Sequence, residues 1–75
     1  MAEIKYEVTE RLGALSEPVN GYAKELNMVS WNDHTPVFDL RPWNTAHDRM
    51  SKGVTFNKAE AKALRDILNG LNLDD

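Results

Sequence analysis

Cysteine is missing from this chain, and with it go disulfides, thiolate catalysis and thiolate metal ligands. Such a chain suits a reducing compartment. No apolar run approaches the ~18 residues that a membrane-spanning helix requires. The opening stretch MAEIKYEVTE has neither a basic n-region nor an apolar h-region, so it does not read as a signal peptide. A positive excess is missing too: nine Lys and Arg stand against twelve Asp and Glu, for a net charge of −3. That balance gives no help to non-specific phosphate binding, so a nucleic-acid site would need clustered cations. The expectation is a soluble, cytoplasmic domain with no membrane contact.

Signatures of catalysis are equally scarce. Ser16, Ser30 and Ser51 have no nucleophile-elbow context. His34 and His47 each adjoin an aspartate, but no HxxxH or HxE spacing supplies a third ligand, so they read as solvated loop histidines. GVTFN holds one glycine and cannot cradle a phosphate, and Asp33 and Asp39 read as solvated acids. The chain is therefore expected not to be an enzyme and to carry no cofactor and no metal.

What is present fills one domain over residues 1–75. A chain this short buries only about 60% of its unfolded surface, which leaves a marginal core and favours oligomerisation. Residues 3–16 open with Ile4, Tyr6 and Val8 alternating against polar neighbours, the period of a half-buried strand, and Gly13 marks a bulge or bend. EPVNG, residues 17–21, is a turn. A second strand over 22–31 sets Leu26 and Met28 on one face, and Asn27, Val29 and Trp31 on the other. After NDHTP, a third strand over 37–43 points Phe38 and Leu40 one way, and Val37, Asp39, Arg41 and Trp43 the other. Pro42 donates no backbone bond and belongs near an edge or strand end. A polar loop leads to a short strand over 52–56 with Val54 and Phe56 on one face. Asn57 with Glu60 three residues on is close to a capping box, Ala61, Leu64, Ile67, Leu68 and Leu71 follow at helical spacing, and Gly70 marks the helix end. NLDD is a frayed tail, and there is no internal repeat, low-complexity tract or linker.

The expected fold is α+β: a four-stranded antiparallel sheet followed by one C-terminal helix, β-β-β-β-α. The helix is expected to cover the face of Leu26, Met28, Phe38, Leu40, Val54 and Phe56, leaving Asn27, Val29, Trp31, Asp39, Arg41 and Trp43 exposed. Exposed tryptophans mark a contact site. Aromatics beside cations are the means by which proteins hold single-stranded nucleic acid, through base stacking and backbone contacts. Trp31, Trp43 and Arg41 supply both, with Arg49 and Lys52 bracketing the loop after the third strand. Lys24 shares the Leu26 parity unless a bulge or the rim intervenes. The residues alone leave open whether either tryptophan belongs instead to the core or to a dimer contact.

The wording YAKELNMVSWND, PVFDLRPW and MSKGVTFN, over residues 22–57, resembles the transcriptional positive cofactor four family of single-stranded-DNA-binding domains, its bacterial members in particular. The resemblance rests on SWND closing a strand, on Asp39-Leu40-Arg41 with Trp43 nearby, and on Lys52-Gly53-Val54-Thr55 before an amphipathic helix. It implies a protomer that dimerises through its C-terminal helix, with a curved groove for single-stranded DNA. By this likeness Trp31 and Trp43 stack on bases, while Arg41 and Lys52 meet phosphates or stack; Lys24, ahead of Trp31 on the same strand, joins them from its position alone. Asn27, Ser30 and Asn32 supply hydrogen bonds. Leu64, Ile67, Leu68 and Leu71 form the homodimer interface, one side of the stripe packing on the sheet and the other on the second protomer; a helix packing only on its own sheet is the alternative. The implied setting is bacterial and nucleoid-associated, in transcription, replication or repair, with RNA not distinguished from DNA. The rival reading is a small protein-interaction module that uses an exposed tryptophan face.

Overall fold

The computed structural model describes residues 5–74. Glu3 and Ile4 of the expected first strand, and Asp75 of the tail, lie outside the described residues. The chain forms β1 (Tyr6–Ala14), β2 (Tyr22–Trp31), β3 (Val37–Asn44), β4 (Val54–Phe56) and α1 (Lys58–Asn69). The strands make one antiparallel sheet in the order β1-β2-β3-β4, an α+β fold with the helix last.

Local chemistry sets the turns. Asn20 and Gly21 both take positive φ, at 54° and 83°, as a two-residue hairpin turn of the primed type requires. Val19 and Tyr22 exchange backbone bonds of 2.7 and 3.1 Å across it. Asn32 and Asp33, at 51° and 63°, turn the chain again, and the His34 N–H donates to the Trp31 carbonyl at 2.9 Å. The helix starts on a full capping box: the Glu60 N–H donates to Asn57 Oδ1 at 2.8 Å, and the Asn57 N–H donates to Glu60 Oε1 at 2.9 Å. Gly70 closes it, donating to the Asp66 carbonyl.

β2 and β3 pair without interruption, so opposite residues share a face: Ala23 with Trp43, Glu25 with Arg41, Asn27 with Asp39, Leu26 with Leu40, Met28 with Phe38. β1 shifts register twice, between Val8 and Glu10 and between Arg11 and Gly13, and such bulges bend a strand. The bend is large. Trp31 ends β2, whereas Trp43 pairs with Ala23 at its opposite end. On a flat sheet they would stand roughly 25 Å apart. Tyr6 nevertheless reaches both, its ring centroid 5.6 Å from Trp31 and 6.0 Å from Trp43. The sheet is therefore curled, with the tryptophan face inside.

The core follows from that curl and corrects the sequence expectation. The buried residues are Ala23, Asn27, Val29, Asp39 and Trp43, all on the inner face. Trp43 is 2% exposed, not an open stacking surface. A buried tryptophan withdraws on the order of 150–250 Å² from water, worth about 4–6 kcal/mol on the area scale, so it is a main prop of a chain this size. The helix-side face was expected to be the covered one, and it is not. α1 contributes no buried residue. Leu26, Phe38, Leu40 and Phe56 face Leu64 and Leu68 across an open groove of about 500 Å³. Periodicity told which residues share a face; it could not tell that curling would close one face before a helix closed the other.

Candidate nucleic-acid interface

The inner face is built from β1, β2, β3 and the loop that follows β3. Asp39 and Arg41, two apart on one strand, point the same way. Arg41 Nε and Nη2 each donate to Asp39, to Oδ1 and Oδ2, at 2.6 Å, a bidentate fork. Asp39 is fully buried and Arg41 nearly so. The guanidinium lies over the Trp31 ring, 4.7 Å from its centroid, and Nη1 faces Met50 Sδ at 3.8 Å. Gly53 presses against the backbone of Leu40 and Arg41, where any Cβ would overlap β3. That contact explains the glycine ahead of β4.

The loop is organised by Asn44. Its Oδ1 accepts from the N–H groups of Asp48 and Arg49 at 3.0 and 2.9 Å, and its carbonyl accepts from the His47 N–H at 2.9 Å. His47 takes φ 62°, a region in which histidine is among the better tolerated non-glycine residues. Its ring lies flat on Trp43, centroids 3.9 Å apart and planes 4° apart. His47 Nε2 is hydrogen-bonded to Glu25 Oε1 at 2.7 Å, and Asn27 Nδ2 donates to the same oxygen at 3.3 Å. Partial burial pushes the Glu25 carboxyl up, but the bonds from His47 and Asn27 and the charges of His47 and Arg11 outweigh it, leaving it below the ordinary 4.5. Among the described residues, three buried polar atoms of this face have no partner: Asn27 Oδ1, Trp31 Nε1 and Trp43 Nε1.

The residues expected to act together are therefore divided. Trp31, Arg41, Trp43 and Asn27 share the curl. Trp31 is half-buried against Tyr6 and Arg41, so one tryptophan, not two, stands near the surface. Arg41 spends its fork on Asp39, which corrects the expectation of a guanidinium free for phosphate. Lys24 lies on the opposite face, because the unbroken β2–β3 register offers no bulge to carry it across. Ser30 shares that opposite parity and its hydroxyl donates to the His34 carbonyl at 2.7 Å. Asn32 is exposed in its turn, its Oδ1 accepting from the Lys5 N–H at 3.2 Å. Lys52 is exposed beside Gly53 and makes no ion pair among the described residues. Leu64, Ile67, Leu68 and Leu71 are all exposed; Leu64 and Leu68 turn toward the groove, while Ile67 and Leu71 do not line it.

Three residues of the inner face escaped the sequence reading. Tyr6 and Arg11 reach it through β1, opposite Trp31 and Asn27, by a register that two bulges conceal. His47, expected to be solvated, is the ring that covers Trp43. Its only local signal is the Asn44 that shapes its loop.

No protein-family profile matches the chain. An uncharacterized protein of Treponema pallidum (strain Nichols) is 44% identical over 72 residues, which is 96% of this chain and 85% of that protein. The chain belongs to that protein's family. The shared span leaves out so little of the chain that it includes every element from β1 to α1. The curled sheet and the open helix side thus both fall within what the two family members have in common as aligned sequence. Among the described residues no helix is long and apolar enough to cross a membrane.

Proposed function

We propose that this chain binds single-stranded nucleic acid at the mouth of its curled sheet, as a twofold homodimer, and does so without catalysis. The observation that carries the reading is the aromatic and guanidinium group at that mouth: Tyr6, 40% exposed, beside Trp31 with Arg41 across its ring. Flat π surfaces there offer stacking to any unpaired base, worth about 1–3 kcal/mol per base. The indole N–H of Trp31, buried beneath that surface, has no hydrogen-bond partner among the described residues. With Arg41 neutralised by Asp39, the backbone-tracking role passes to Arg11, Arg49 and Lys52, exposed cations that make no ion pair among the described residues. The likeness to the positive cofactor four family supports the same assignment, including a bacterial nucleoid setting in transcription, replication or repair. Nothing on this face favours DNA over RNA.

The homodimer answers the open groove. A face lined by Leu26, Phe38, Leu40, Phe56, Leu64 and Leu68 is a large apolar surface for a monomer, and such patches mark contact sites. A second copy, docked about a twofold axis, is the occupant assigned here, because so short a chain has little other core. The same groove favours the rival reading, a module that captures a partner protein. A gel-shift competition separates the functions. Single-stranded oligonucleotide should displace a labelled single strand, and duplex of the same sequence should not, because paired bases cannot reach Trp31 without unstacking. Equal competition by duplex, or no shift at all, would reject the single-strand reading.

A further inference from the structure

We propose that His47 is a built-in occupant of a second base site, lying on Trp43 where a base of the bound strand would stack, and that the strand takes its place. This rests on the reading of the inner face as a single-strand surface.

The geometry is that of a stacked base rather than of ordinary core packing. Aromatic pairs in proteins prefer offset or tilted arrangements with centroids about 4.5–7 Å apart. Tyr6 meets both tryptophans in that way, tilted by 42° and 54°. On this face His47 alone lies parallel, at 3.9 Å and 4°, closer than the parallel Phe38–Phe56 pair of the other face at 5.5 Å. A flat nitrogen heterocycle already fills the one face of Trp43 that a flat nitrogen heterocycle from outside would need.

The cover is also built to lift. Of residues 45–49 only His47 is half-buried; Thr45, Ala46, Asp48 and Arg49 are exposed. Turning the His47 ring aside therefore uncovers the indole without drawing any other side chain of these five out of the protein. The left-handed backbone at His47, φ 62°, a sparsely populated conformation for a residue other than glycine, is what aims the ring at Trp43. The ring itself has one hydrogen bond, between His47 Nε2 and Glu25 Oε1, while the loop backbone stays anchored on Asn44. The charged groups around it are Glu25 from β2, Arg11 from β1 and the flanking Asp48 and Arg49 of the loop. Lifting the ring bares the indole on a face where Trp43 Nε1, a donor, and Asn27 Oδ1, an acceptor, have no partner. A base edge can use both kinds of group; an apolar peptide side chain can use neither. Closure also lowers apparent affinity by the fraction of molecules that are open, so His47 sets how readily the second base is taken.

The test uses the full chain in a Trp31→Phe background, where all indole fluorescence comes from Trp43. His47→Gly removes the ring and suits the positive φ. Oligothymidine titrations should show His47→Gly binding about three- to tenfold tighter than its parent, the gain expected when a stacked competitor is deleted. Acrylamide should quench Trp43 more strongly in that variant, and bound oligothymidine should restore the shielding. Glu25→Gln, which keeps the ring and loosens its tether, should move both readings the same way by a smaller factor, and it serves if His47→Gly does not fold. Unchanged or weaker binding in a folded variant, while the parent binds, overturns the His47 inference and leaves the single-strand reading standing. Absence of binding by the unmodified chain as well as by the Trp31→Phe parent and its variants overturns both.

Discussion

The inner face of the sheet carries an asparagine, an aspartate, an arginine and a histidine, yet its centre is dry; the helix-side face carries leucines and phenylalanines, yet water reaches it. Asn27, Val29, Asp39 and Trp43 are at most 2% exposed. Across the same strands, Leu64 and Leu68 of the helix stand 41% and 44% exposed over an open groove. Apolar burial is the main stabilising term in folding, so a chain that leaves its greasier face wet has not finished burying surface. Polar groups, by contrast, are costly to bury unless paired, and the pairings made here also fix shape. The Asp39–Arg41 fork, the Glu25–His47 bond and the Trp43 stack hold the curl. One face is completed within the protomer; the other stays open, and the proposed homodimer is what would cover it.

The comparison breaks most violently at Arg41. Arg41→Ala should strand the Asp39 carboxylate without its partner in a fully buried position, at a cost of about 3–5 kcal/mol. That is much of the stability of a small domain, so thermal melts should show an unfolded or barely folded protein. A double variant that also replaces Asp39 with alanine should be less damaged than the two single losses summed. A folded Arg41→Ala protein near parental stability would mean that the fork does not hold the curl.

The open face breaks differently. Leu68→Glu puts a charge into the groove and should prevent assembly while leaving the curled face intact. Light scattering on the parent at micromolar concentration should report a dimer and on the variant a monomer. A monomeric parent would end the dimer proposal. At the mouth, Trp31→Ala should weaken single-strand binding by about 1–3 kcal/mol. Its measure is an oligonucleotide titration on protein checked for an unchanged melt.

Two smaller effects sharpen the contrast. Asn57→Ala removes the cap of a helix that buries no residue of its own, so local losses are felt there. About 1 kcal/mol should go, seen as a lower melting temperature. Glu25 is smaller still. Its folded carboxyl is held below 4.5. It therefore contributes stability above that value and loses it as pH falls through and below it. Glu25→Gln should melt less steeply than the parent between about pH 5 and about pH 3, and identical profiles would deny Glu25 that role.

Much of the architecture was legible because its signals are local. Alternation in β2 and β3, the Asn20-Gly21 turn, and Asn57 with Glu60 each act within a few residues, and each element begins or ends close to where they place it. Strand parity likewise put Trp31, Arg41 and Trp43 on one face and kept Lys24 off it. What the sequence could not show is curvature. Two bulges in β1 decide how far the sheet closes, and they leave only Gly13 as a trace. Without the curl, Trp43 looked exposed, Arg41 looked free and His47 looked solvated. Whether a face ends wet or dry depends on contacts between residues far apart in the chain, such as Tyr6 with Trp43, that no local pattern encodes.

The most direct test follows the intrinsic tryptophan fluorescence of the unmodified protein while oligothymidine is added, at several salt concentrations. Arg11, Arg49 and Lys52 are the cations assigned to the backbone, and each phosphate contact contributes roughly −0.7 to the slope of log affinity against log salt for a single strand. The account predicts a change in fluorescence that saturates, and an affinity that falls with salt on a slope of about −2. A titration with no fluorescence change, or an affinity indifferent to salt, would contradict the single-strand reading and move the rival reading, a protein partner in the open groove, into first place.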